Sequence, residues 1–579
     1  SVTLTVEDGK ITAAEVVGEN ETKGIGYEPC AEGTYAAAIV EAQGADIDNI
    51  SGATVTTNAV KEAAKKAMVA AGLAEAEDTT VSDAECDVVI VGAGGAGMTA
   101  ALQAVDAGVN SVIVVEKAGS TGGNTSRATG GMNAAKTVYQ DKNEWSDATT
   151  QAVEKTLATA KEKYGDQIGD LIATVEAQFE AYKANPTGYF DSVELFALDT
   201  MVGGKGINDP ELVKTLCEGT ADAIDWLDEN GITLHNVSSF GGASVKRIHR
   251  PVDAEGKTVS VGSYMIPLLQ ENCEKAGVKM MLDTTATEIL TDANGAAVGV
   301  KATGASGETV TVNAKAVVLT SGGFGANLDM VVKYKPELEG FMTTNAPGIL
   351  GQGIEMATAI GAGTVDMDQI QIHPTVEANT AALITEGLRG DGAILVNANG
   401  ERFIDEVGTR DVVSAAEIAQ PGSYSWLIVD QAMADASSVI QGYIKKGYTK
   451  TGATYEELAK ELDVDPAAFA NTMETWNGYV EAKNDPDFGR ISFANPLNNG
   501  PYYAIKVTAG VHHTMGGVTI NSATEVLKED GTVIPGLFAA GEVTGGVHGA
   551  NRLGGTAVAD FVVFGRIAGE SAANYASAQ

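Results

Sequence analysis

Long apolar runs, paired cysteines and basic clusters are missing from this sequence. No run of about 18 or more apolar residues occurs, so we expect no membrane-spanning helix. The four cysteines, Cys30, Cys86, Cys217 and Cys273, have no short paired spacing, which argues against a zinc site or a disulfide framework. No CxxCH segment is present either, so we expect no c-type haem and predict no metal site.

Positive charge is also scarce. The chain has 38 Lys and Arg residues against 77 Asp and Glu residues, and its formal net charge is -39. No basic cluster offsets this charge locally, so a phosphate backbone would be repelled and nucleic acid is not an expected partner. Acidity with few cysteines favours an extracytoplasmic protein, periplasmic or at the cell surface, and an acidic cytoplasmic enzyme is the alternative.

The 579 residues, of which 44% are hydrophobic, predict a globular protein of about three or four modules. Ser1 stands directly in a strand-like segment, so we expect a processed or trimmed N-terminus from which a signal was removed. Residues 1–75 predict a small α+β domain with strands at 3–6 and 11–17 and a helix from Thr57 to about Ala71. Residues 76–85 show neither the helical nor the strand periodicity of apolar residues and form a predicted linker.

A βαβ unit with a glycine-rich turn follows the linker. The apolar run 86–91 is typical of a strand buried on both faces, and a helix and a second strand come after it. Gly92, Gly94 and Gly97 permit a tight turn, close approach of backbone N–H groups to a pyrophosphate, and close helix packing. Glu116 follows at the distance expected of a carboxylate that accepts the hydroxyls of an adenosine ribose.

NAD and FAD share this fingerprint, and the next segments favour FAD. Residues 119–125 and 130–135 form a second glycine-rich surface, which suits a long, flat, tightly held cofactor. Residues 316–324 read as a strand that ends in glycines, and Glu542, at the end of segment 534–542, could hold the ribitol. We expect these distant segments to meet at one cofactor.

Five of the six histidines lie in segments that are rich in Gly, Thr, Arg and Asn. Each histidine alone is more often structural than functional, because most histidines complete local hydrogen bonds. Together with two further segments rich in Arg and Glu, they form a set that predicts a functional site. The segments of this set are 247–251, 371–375, 385–390, 400–411, 510–517 and 547–555.

With these motifs the sequence resembles the fumarate reductase flavoprotein family, in its soluble branch related to flavocytochrome c and urocanate reductase, from about residue 85 onward. The resemblance implies reduction of the C=C bond of a small unsaturated acid, most simply fumarate to succinate. In that family, the residue matching Arg410 donates the proton, and those matching Glu386 and Arg389 return it from solvent. The residues that the family implies for holding substrate carboxylates are His373, Thr385, Glu386, His512 and Arg552.

The same resemblance implies the residues that contact FAD. They are Gly92, Gly94, Gly97, Glu116, Lys117, Gly122, Gly123, Asn124, Gly130, Gly131, Thr320, Gly322, His513, Glu542, Ala557 and Val558. Succinate dehydrogenases of the wider family anchor FAD to a histidine where this sequence has Asn124, so we expect FAD to be non-covalent. A non-covalent FAD generally has a lower reduction potential, and this favours reduction of the unsaturated acid over oxidation of succinate.

The residue types agree with the chemistry that the resemblance implies. Reducing a C=C bond conjugated to a carboxylate needs a hydride from flavin N5, cations that stabilise the developing negative charge, and a proton for the other carbon. His and Arg side chains are expected to supply the cations. An Arg acts as an acid only if neighbouring cations and a carboxylate relay make it lose its proton transiently. The alternative makes Arg410 a substrate clamp, with water as the proton donor.

The N-terminal domain resembles the FMN-binding domain in which a flavin transferase links the FMN phosphate to a threonine hydroxyl. Residues 48–54 read Asp-Asn-Ile-Ser-Gly-Ala-Thr and match its Asp-x-x-Ser/Thr-Gly-Ala-Thr pattern. Thr54 would be the acceptor, with Thr56 and Thr57 nearby, and an ordinary turn into the helix is the alternative. The domain begins a strand or two late relative to the family, so we expect its first strand to be missing.

Two departures from the family pattern bear on the substrate. Phe240 stands where fumarate reductases generally have Met, and it would line the pocket with an aromatic face, as in urocanate-type enzymes. Gly387 stands where they have Ala, and it lacks the carboxylate with which urocanate-type enzymes hold the imidazole. His373 favours a substrate that has a second carboxylate. Neutral drift in packing is the alternative explanation for both changes.

We therefore predict an α/β protein with a Rossmann-like FAD domain (86–367 and 508–579), an inserted α+β clamp domain (368–507) and the FMN-binding domain. Electrons would pass from an external donor, membrane quinol-linked or a reduced flavin or cytochrome, through FMN to FAD. Reductases of urocanate, acrylate or a cinnamate are the alternatives among enzymes. From another class, the alternative is an electron-carrier flavoprotein with a vestigial FAD site, against which Arg410, Glu386 and Arg389 argue.

Overall fold

A computed structural model describes residues 1–7, 9–18, 27–47, 54–73 and 81–579 of the chain. Within these ranges, only the backbone is described for Tyr27, Glu28, Thr54, Val55, Asn58, Ala59 and Glu62. Residue contacts divide the chain into two units. The first unit comprises Ser1–Thr80 and Val439–Lys450, and the second comprises Val81–Ser438 and Thr451–Gln579.

The first unit contains a β-hairpin that is followed by helices. The strands Val2–Glu7 and Lys10–Val16 pair in antiparallel fashion, and Val2 lies opposite Val16. An apolar core that includes Ile11, Tyr35 and Ile39 joins the hairpin to the helices. The described helices are Tyr27–Ala31, Thr34–Ala42 and Thr54–Ala70. The predicted strands and the long helix are confirmed with slightly shifted ends. Of the predicted linker, residues 76–80 lie outside the described residues, and Ala84 and Glu85 belong to the next strand.

A largely parallel sheet lies at the centre of the second unit. Its main strands, in spatial order, are Glu525–Leu527, Val533–Ala539, Thr309–Leu319, Ala84–Val91, Val112–Val115 and Lys279–Met281. Thr309–Leu319 also pairs with Ala297–Thr303, which pairs with Thr285–Thr291. Val88, Val89 and Ile90 are fully buried, as expected of a central parallel strand. The predicted βαβ unit is confirmed, with its helix over Gly95–Asp106, here called the fingerprint helix.

The fingerprint helix packs against the helix Thr556–Ser577, here called the crossing helix. A Cβ atom on Gly569 would overlap the Ala100 carbonyl oxygen, so glycine allows the two helix backbones to approach closely. Arg566 Nε donates to Gln103 Oε1 at 3.2 Å, although the two residues are 463 positions apart in sequence. A late segment of the chain therefore supports the glycine-rich turn from behind.

A helical part with its own apolar core lies between strands of the central sheet in sequence. Its helices are Asp147–Ala184, Val193–Gly203 and Pro210–Glu229. Each begins after an N-cap residue, Ser146, Ser192 or Asp209, whose side chain accepts a backbone N–H. The core between them includes Val153 and Phe196. The predicted FAD segment 86–367 thus contains this helical part as well as the sheet.

A second, antiparallel sheet carries several of the predicted site residues. The order of four of its strands is Ile370–Glu377, Tyr502–Thr514, Ser425–Asp430 and Ile394–Val396. Gln371 lies opposite His513, and His373 lies opposite Gly510. The predicted domain boundary at 507/508 falls inside the strand Tyr502–Thr514, because pairing with Ile370–Glu377 continues to Thr514.

The chain contains further strands and helices. The other strands are Met132–Asn133, Asn236–Ser238, Ile248–Arg250, Thr364–Val365, Thr449–Gly452 and Gly517–Val518. The other helices are Val261–Lys275, Leu328–Tyr334, Gln352–Ala359, Gly387–Gly390, Arg410–Ile418, Gln431–Ala436, Ser438–Lys445, Tyr455–Leu462 and Pro466–Ala482. In the described ranges, no helix combines the length and apolar character needed to cross a bilayer. Nor do three or more His, Cys, Asp or Glu side chains among these residues converge on a metal site.

Candidate active site

A cavity of about 540 Å³ in the second unit is lined by both predicted groups of residues. The cofactor residues in its wall are Gly92, Gly94, Glu116, Lys117, Gly122, Gly123, Asn124, Gly130, Gly131, Thr320, Gly322, His513, Glu542, Ala557 and Val558. The substrate and proton-transfer residues in its wall are Phe240, His373, Thr385, Glu386, Arg410, His512 and Arg552. Gly97 and Arg389 lie behind the wall, against Gly92 and Glu386 respectively.

The glycine-rich turn leaves its backbone open to a ligand. A Cβ atom on Gly92 would lie 2.6 Å from the Thr320 carbonyl oxygen, and one on Gly97 would overlap the Gly92 carbonyl oxygen. The Thr320 hydroxyl lies 3.0 Å from the carbonyl oxygens of Val91 and Gly92 and fixes the turn against the neighbouring strand. Such a cradle, at the N-terminus of the fingerprint helix, fits the pyrophosphate of FAD.

Glu116 and Lys117 stand at the end of the second strand of the βαβ unit. The Glu116 carboxylate accepts the backbone N–H groups of Ala93 and Ala118, both at 2.8 Å. These two bonds fix the carboxylate in the cavity wall, where its other lone pairs can accept ribose hydroxyls. Lys117 Nζ donates to Gln352 Oε1 at 2.6 Å, and burial lowers the pKa of Lys117.

Asn124 is tied to residues from two distant segments. Its Nδ2 donates to Asn345 Oδ1 at 2.6 Å and to Glu542 Oε2 at 3.3 Å, and its Oδ1 accepts the Ala346 N–H at 2.8 Å. Glu542 Oε1 also accepts the Thr514 N–H, and burial raises the pKa of Glu542. An amide with these partners fits a flavin that is held without a covalent bond. Asn345 was not predicted, because no motif marks it.

Three buried side chains form a continuous ion-pair chain at the substrate end of the cavity. Arg410 Nε and Nη2 donate to Glu386 Oε2 at 3.1 and 2.7 Å, and Arg389 Nη2 donates to Glu386 Oε1 at 2.9 Å. Burial acts to raise the pKa of Glu386, but the charges of Arg410 and Arg389 hold it below its ordinary value. Glu386 is therefore a carboxylate at neutral pH and can pass a proton between two guanidinium groups.

Gln371 is a member of this arrangement that the sequence analysis missed. Its Oε1 accepts from Arg410 Nη1 at 2.9 Å, and its Nε2 donates to Asn551 Oδ1 and to the Arg552 carbonyl oxygen. It thereby fixes Arg410 relative to the loop that carries Arg552. A signal was available, because Gln371 stands two residues before His373 in a predicted functional segment.

His373 and His512 form one wall of the same end, with ring centroids 4.9 Å apart. His373 Nδ1 accepts the Thr375 N–H at 3.1 Å, so a neutral ring carries its hydrogen on Nε2. Burial and the nearby Arg410 hold the pKa values of His373 and His512 well below the ordinary range. The expectation that both His and Arg supply cations is therefore corrected: without substrate these histidines are neutral hydrogen-bonding groups.

Two histidines of the predicted set, His249 and His548, do not line the cavity. His249 is fully buried and lies 2.6 Å from the Thr137 hydroxyl, and burial lowers the pKa of His249 to about 4. His548 Nε2 pairs with Asp560 Oδ2 at 2.8 Å, and its ring packs edge-on against His513. Both residues complete local structure.

Arg552 is a buried cation of the cavity wall that makes no ion pair among the described residues. Burial, followed by repulsion from Arg410, lowers the pKa of Arg552 to about 9. Among the described residues its Nε has no hydrogen-bond partner, while Nη1 donates to the Leu553 carbonyl oxygen at 3.1 Å. A carboxylate that entered the cavity would supply the missing negative partner.

Phe240, Thr385 and Gly387 surround the remaining side of the substrate end. The Thr385 hydroxyl accepts the Gly387 N–H at 3.2 Å. A Cβ atom on Gly387 would lie 3.2 Å from both the Phe240 ring and Arg250 Nη2. Phe240 and Thr385 line the cavity here, so it presents an aromatic face and a hydroxyl group.

The predicted FMN-attachment segment 48–53 and the Thr54 side chain lie outside the described residues. Thr54 is the first residue of its helix. Thr57 is fully buried, and its hydroxyl lies 2.9 Å from the Tyr35 hydroxyl. Thr57 is therefore not available as a flavin acceptor in this fold.

Comparison with protein families gives two matches. Residues 87–185 and 177–558 match the FAD binding domain, and residues 1–69 match the FMN-binding domain. The predicted pair of flavin cofactors, FAD and FMN, thus has a matching domain for each member.

Several characterised proteins are similar over most of the chain. The NADH:fumarate oxidoreductase of Klebsiella pneumoniae is 43% identical over 93% of this chain, which spans 53% of that protein. The fumarate reductase (cytochrome) of Shewanella frigidimarina is 42% identical over 87% of this chain and 79% of its own length. The urocanate reductase of Eggerthella lenta is 36% identical over 92% of this chain and 84% of its own length. Among solved structures, the open conformation of a flavocytochrome c3 fumarate reductase matches with a TM-score of 0.64 and 38% identity, over 88% of this chain and 80% of its own.

Proposed function

Since this chain belongs to the fumarate reductase flavoprotein family, we propose that it reduces fumarate to succinate at the cavity of the second unit. The ion-pair chain from Arg410 through Glu386 to Arg389 carries the proposal, because its first members line the same cavity as the flavin-binding turn. When bound, FAD supplies the hydride from N5. The FMN-binding domain makes the protein a two-flavin oxidoreductase.

Both carboxylates of fumarate find partners in the cavity. Arg552 with His512 holds one carboxylate, and His373 Nε2–H with the Thr385 hydroxyl holds the other. Because the histidines are neutral before the substrate arrives, the positive charge that balances the dianion comes from Arg552 and Arg410. These fixed cations stabilise the negative charge that develops on one carboxylate during reduction.

Arg410 donates the second hydrogen, as a proton, to the carbon next to that carboxylate. Its guanidinium is pre-aligned by Glu386 and Gln371, which contact three of its nitrogen atoms. After donation, the Glu386 carboxylate receives a proton from Arg389 and passes it to Arg410. Arg410 therefore works as an acid despite the high intrinsic pKa of arginine, because its proton is replaced from within the ion-pair chain.

The electron supply and the compartment belong to the same proposal. Electrons reach FAD from FMN esterified to Thr54, after a flavin transferase has attached it. An external donor, quinol-linked or a reduced flavin or cytochrome, reduces the FMN. The protein works outside the cytoplasm, which fits its net charge of -39 and its few cysteines.

The first test compares two acids. We expect kcat/KM for fumarate to exceed that for urocanate by at least about tenfold. We expect an imidazole in place of one carboxylate to face His373 and Gly387. Glu386, the acidic side chain nearest to them in sequence, is already paired with Arg389 and Arg410 and is not free to pair with the ring. Burial of an unpaired polar ring costs about 1–3 kcal/mol. The measurement is oxidation of a chemically reduced viologen dye by each acid, with the purified holoenzyme.

Two outcomes would change the assignment. A kcat/KM for urocanate, acrylate or a cinnamate equal to or above that for fumarate would make the enzyme a reductase of that acid. Phe240 would then be the residue to replace first, because its ring can stack on a planar substrate. Failure of every unsaturated acid to oxidise the reduced enzyme would leave an electron-carrier flavoprotein.

A second prediction concerns the FMN attachment. In a host that has a flavin transferase, the denatured protein should carry an FMN mass on the peptide that contains Thr54. The Thr54→Ala variant should lack it, and Thr57→Ser serves as the control because Thr57 is buried against Tyr35. Peptide mass spectrometry makes the measurement. Flavin on Thr56 would refute the residue assignment and leave the domain assignment intact.

A further inference from the structure

Arg389, the outer arginine of the ion-pair chain, is held at both ends by groups that the mechanism above does not use. Its side chain donates from Nη1 to the Glu406 backbone carbonyl oxygen at 2.6 Å. Its own backbone carbonyl oxygen accepts from Arg490 Nη2 at 2.8 Å, although the two residues are 101 positions apart in sequence. Arg490 belongs to the loop after the helix Pro466–Ala482. Two distant segments therefore fix the position of Arg389.

Glu406 and Arg490 are also bound to each other. Arg490 Nη1 donates to Glu406 Oε2 at 3.0 Å and to the Ala393 carbonyl oxygen at 3.1 Å. The hydrogen bonds among Arg389, Glu406 and Arg490 thus close a ring, in which each residue is bound to the other two. A movement of any member would lengthen at least one of these bonds.

All three members of the ring are buried. Glu406 is fully buried, and Arg389 and Arg490 are each 1% exposed. A buried ion pair adds little net stability, because the cost of removing two charges from water offsets their attraction. The role that the pair of Glu406 and Arg490 suits is therefore the geometry that it imposes on Arg389.

Glu406 is fixed on its other side by Arg402. Arg402 Nε and Nη2 donate to the two Glu406 carboxylate oxygens, both at 2.8 Å, and Nη2 also donates to Asp485 Oδ2 at 3.0 Å. Asp485 Oδ2 accepts the Arg490 N–H at 3.3 Å, which fixes the loop that carries Arg490. The guanidinium carbons of Arg402 and Arg490 lie 4.3 and 4.8 Å from the centre of the Trp476 ring. Two acidic and two basic side chains thus form one buried cluster on an aromatic face.

The orientation of the Arg389 guanidinium depends on its two terminal nitrogen atoms. In the part of the chain that the structure describes, Arg389 Nε makes no hydrogen bond. Nη1 is held by Glu406, and Nη2 donates to Glu386 Oε1 at 2.9 Å. Loss of the support at Glu406 would leave the bond to Glu386 as the remaining restraint on the group.

We propose that Arg490 and Glu406 are positioning residues that hold Arg389 Nη2 against Glu386 for the return of the proton. Neither side chain lines the cavity, and both act through Arg389. Transfer of a proton needs a hydrogen bond of ordinary length between the two heavy atoms, and a displacement of about 1 Å can cost 10²-fold in rate. The inference rests on the proposed function, since it concerns the proton that reduction consumes.

The first turnover and the later turnovers depend on this support differently. Arg410 already carries its proton when the first fumarate arrives, so the first reoxidation of the reduced flavin does not need Arg389. Each later turnover needs a proton that leaves an N–H bond of Arg389, passes through Glu386 and forms an N–H bond on Arg410. No electrons move in that transfer. Misplacement of Arg389 should therefore lower kcat and leave the first phase of reoxidation unchanged.

The test uses the Arg490→Lys variant of the holoenzyme, reduced chemically and mixed with fumarate in a stopped-flow instrument. Lys keeps a positive charge beside Glu406, but it lacks the planar fork that spans the carboxylate and two backbone carbonyl groups. We expect the first phase and KM to stay within about twofold of wild type and kcat to fall about tenfold or more. The solvent deuterium isotope effect on kcat should rise, because return of the proton then limits turnover.

A second variant, Glu406→Gln, breaks the ring at another bond. Gln keeps the size of the side chain and the backbone carbonyl that accepts from Arg389, but it removes the negative charge that pairs with Arg490 and Arg402. The same combination of an unchanged first phase and a lower kcat is expected. Agreement between two variants with different chemistry would tie the effect to the position of Arg389.

The matched control is Arg247→Lys. Arg247 is also a fully buried arginine outside the cavity wall, and its Nη2 and Nε donate to the Asp191 carboxylate at 2.7 and 3.2 Å. Its variant measures the general cost of placing Lys in a buried arginine site. The ratio of kcat to the rate of the first phase should keep its wild-type value.

The outcomes separate the two proposals. A wild-type kcat in Arg490→Lys and Glu406→Gln would overturn the positioning role and leave the proposed function in place. A first phase that slows as much as kcat would show that the two residues support the whole site rather than the return of the proton, and this would overturn the role as well. A wild type that reduces no unsaturated acid would refute the proposed function itself.

Discussion

Replacing Arg410 with Lys is expected to lower kcat for fumarate by about 10²- to 10⁴-fold while FAD remains bound. Lys keeps the positive charge, but it lacks the planar group that contacts Glu386 at 2.7 and 3.1 Å and Gln371 at 2.9 Å. The variant should therefore bind the dianion and fail to deliver the proton. Steady-state kcat and the absorbance of bound flavin measure the two properties separately.

Arg566→Lys is the matched control for this substitution. Arg566 is partly buried and donates to a single side-chain oxygen on the fingerprint helix, away from the cavity wall. Its variant should retain wild-type kcat. If Arg410→Lys kept more than about a tenth of wild-type kcat, a barrier change below about 1.4 kcal/mol, Arg410 would be a clamp and water the donor.

Loss of FAD is the expected result of Gly97→Ala. The added methyl group would overlap the Gly92 carbonyl oxygen and approach the Thr320 hydroxyl at 2.8 Å, so the backbone of the turn would have to move. Overpacking of this kind costs about 1–3 kcal/mol or more, and here the cost falls on the cofactor cradle. The purified variant should retain less than about a tenth of the wild-type FAD content, measured after denaturation.

Gly165→Ala provides the comparison. Gly165 lies inside the helix Asp147–Ala184, and a Cβ atom there would have no neighbour within 4 Å. Alanine should be neutral or slightly stabilising at this position, and FAD content should not change. Full FAD occupancy in Gly97→Ala would mean that the turn can relax, and the third glycine would then not be needed for binding.

The features that could be predicted from the sequence depend on short segments of the chain. The apolar strand, the spacing of Gly92, Gly94 and Gly97, and the position of Glu116 all lie within one βαβ unit, where chain geometry fixes distances. The predicted substrate residues lie on separate segments, yet each segment carries an unusual combination of His, Arg and Gly. Their meeting in one cavity could therefore be expected from the resemblance alone.

Tertiary surroundings decide what the sequence did not predict. Asn345 has no motif, and Gln371 stands in a predicted functional segment that gave it no role. Only the folded chain shows that they contact Asn124 and Arg410. The charge state of His373 is also a property of burial and of neighbouring cations, so residue type alone could not predict that the ring is neutral without substrate.

The crossing helix has a consequence for biosynthesis. Arg566 and Gln103 are 463 positions apart, so the fingerprint helix leaves the ribosome long before its supporting partner has been made. At about 5–20 residues per second, the interval is roughly 20–90 s. During this time the close contact at Gly569 is absent, and contacts of such long range also close slowly. We therefore expect capture of FAD in its finished cradle to follow translation of the helix Thr556–Ser577, so that cellular flavin supply acts on a chain that already contains both helices.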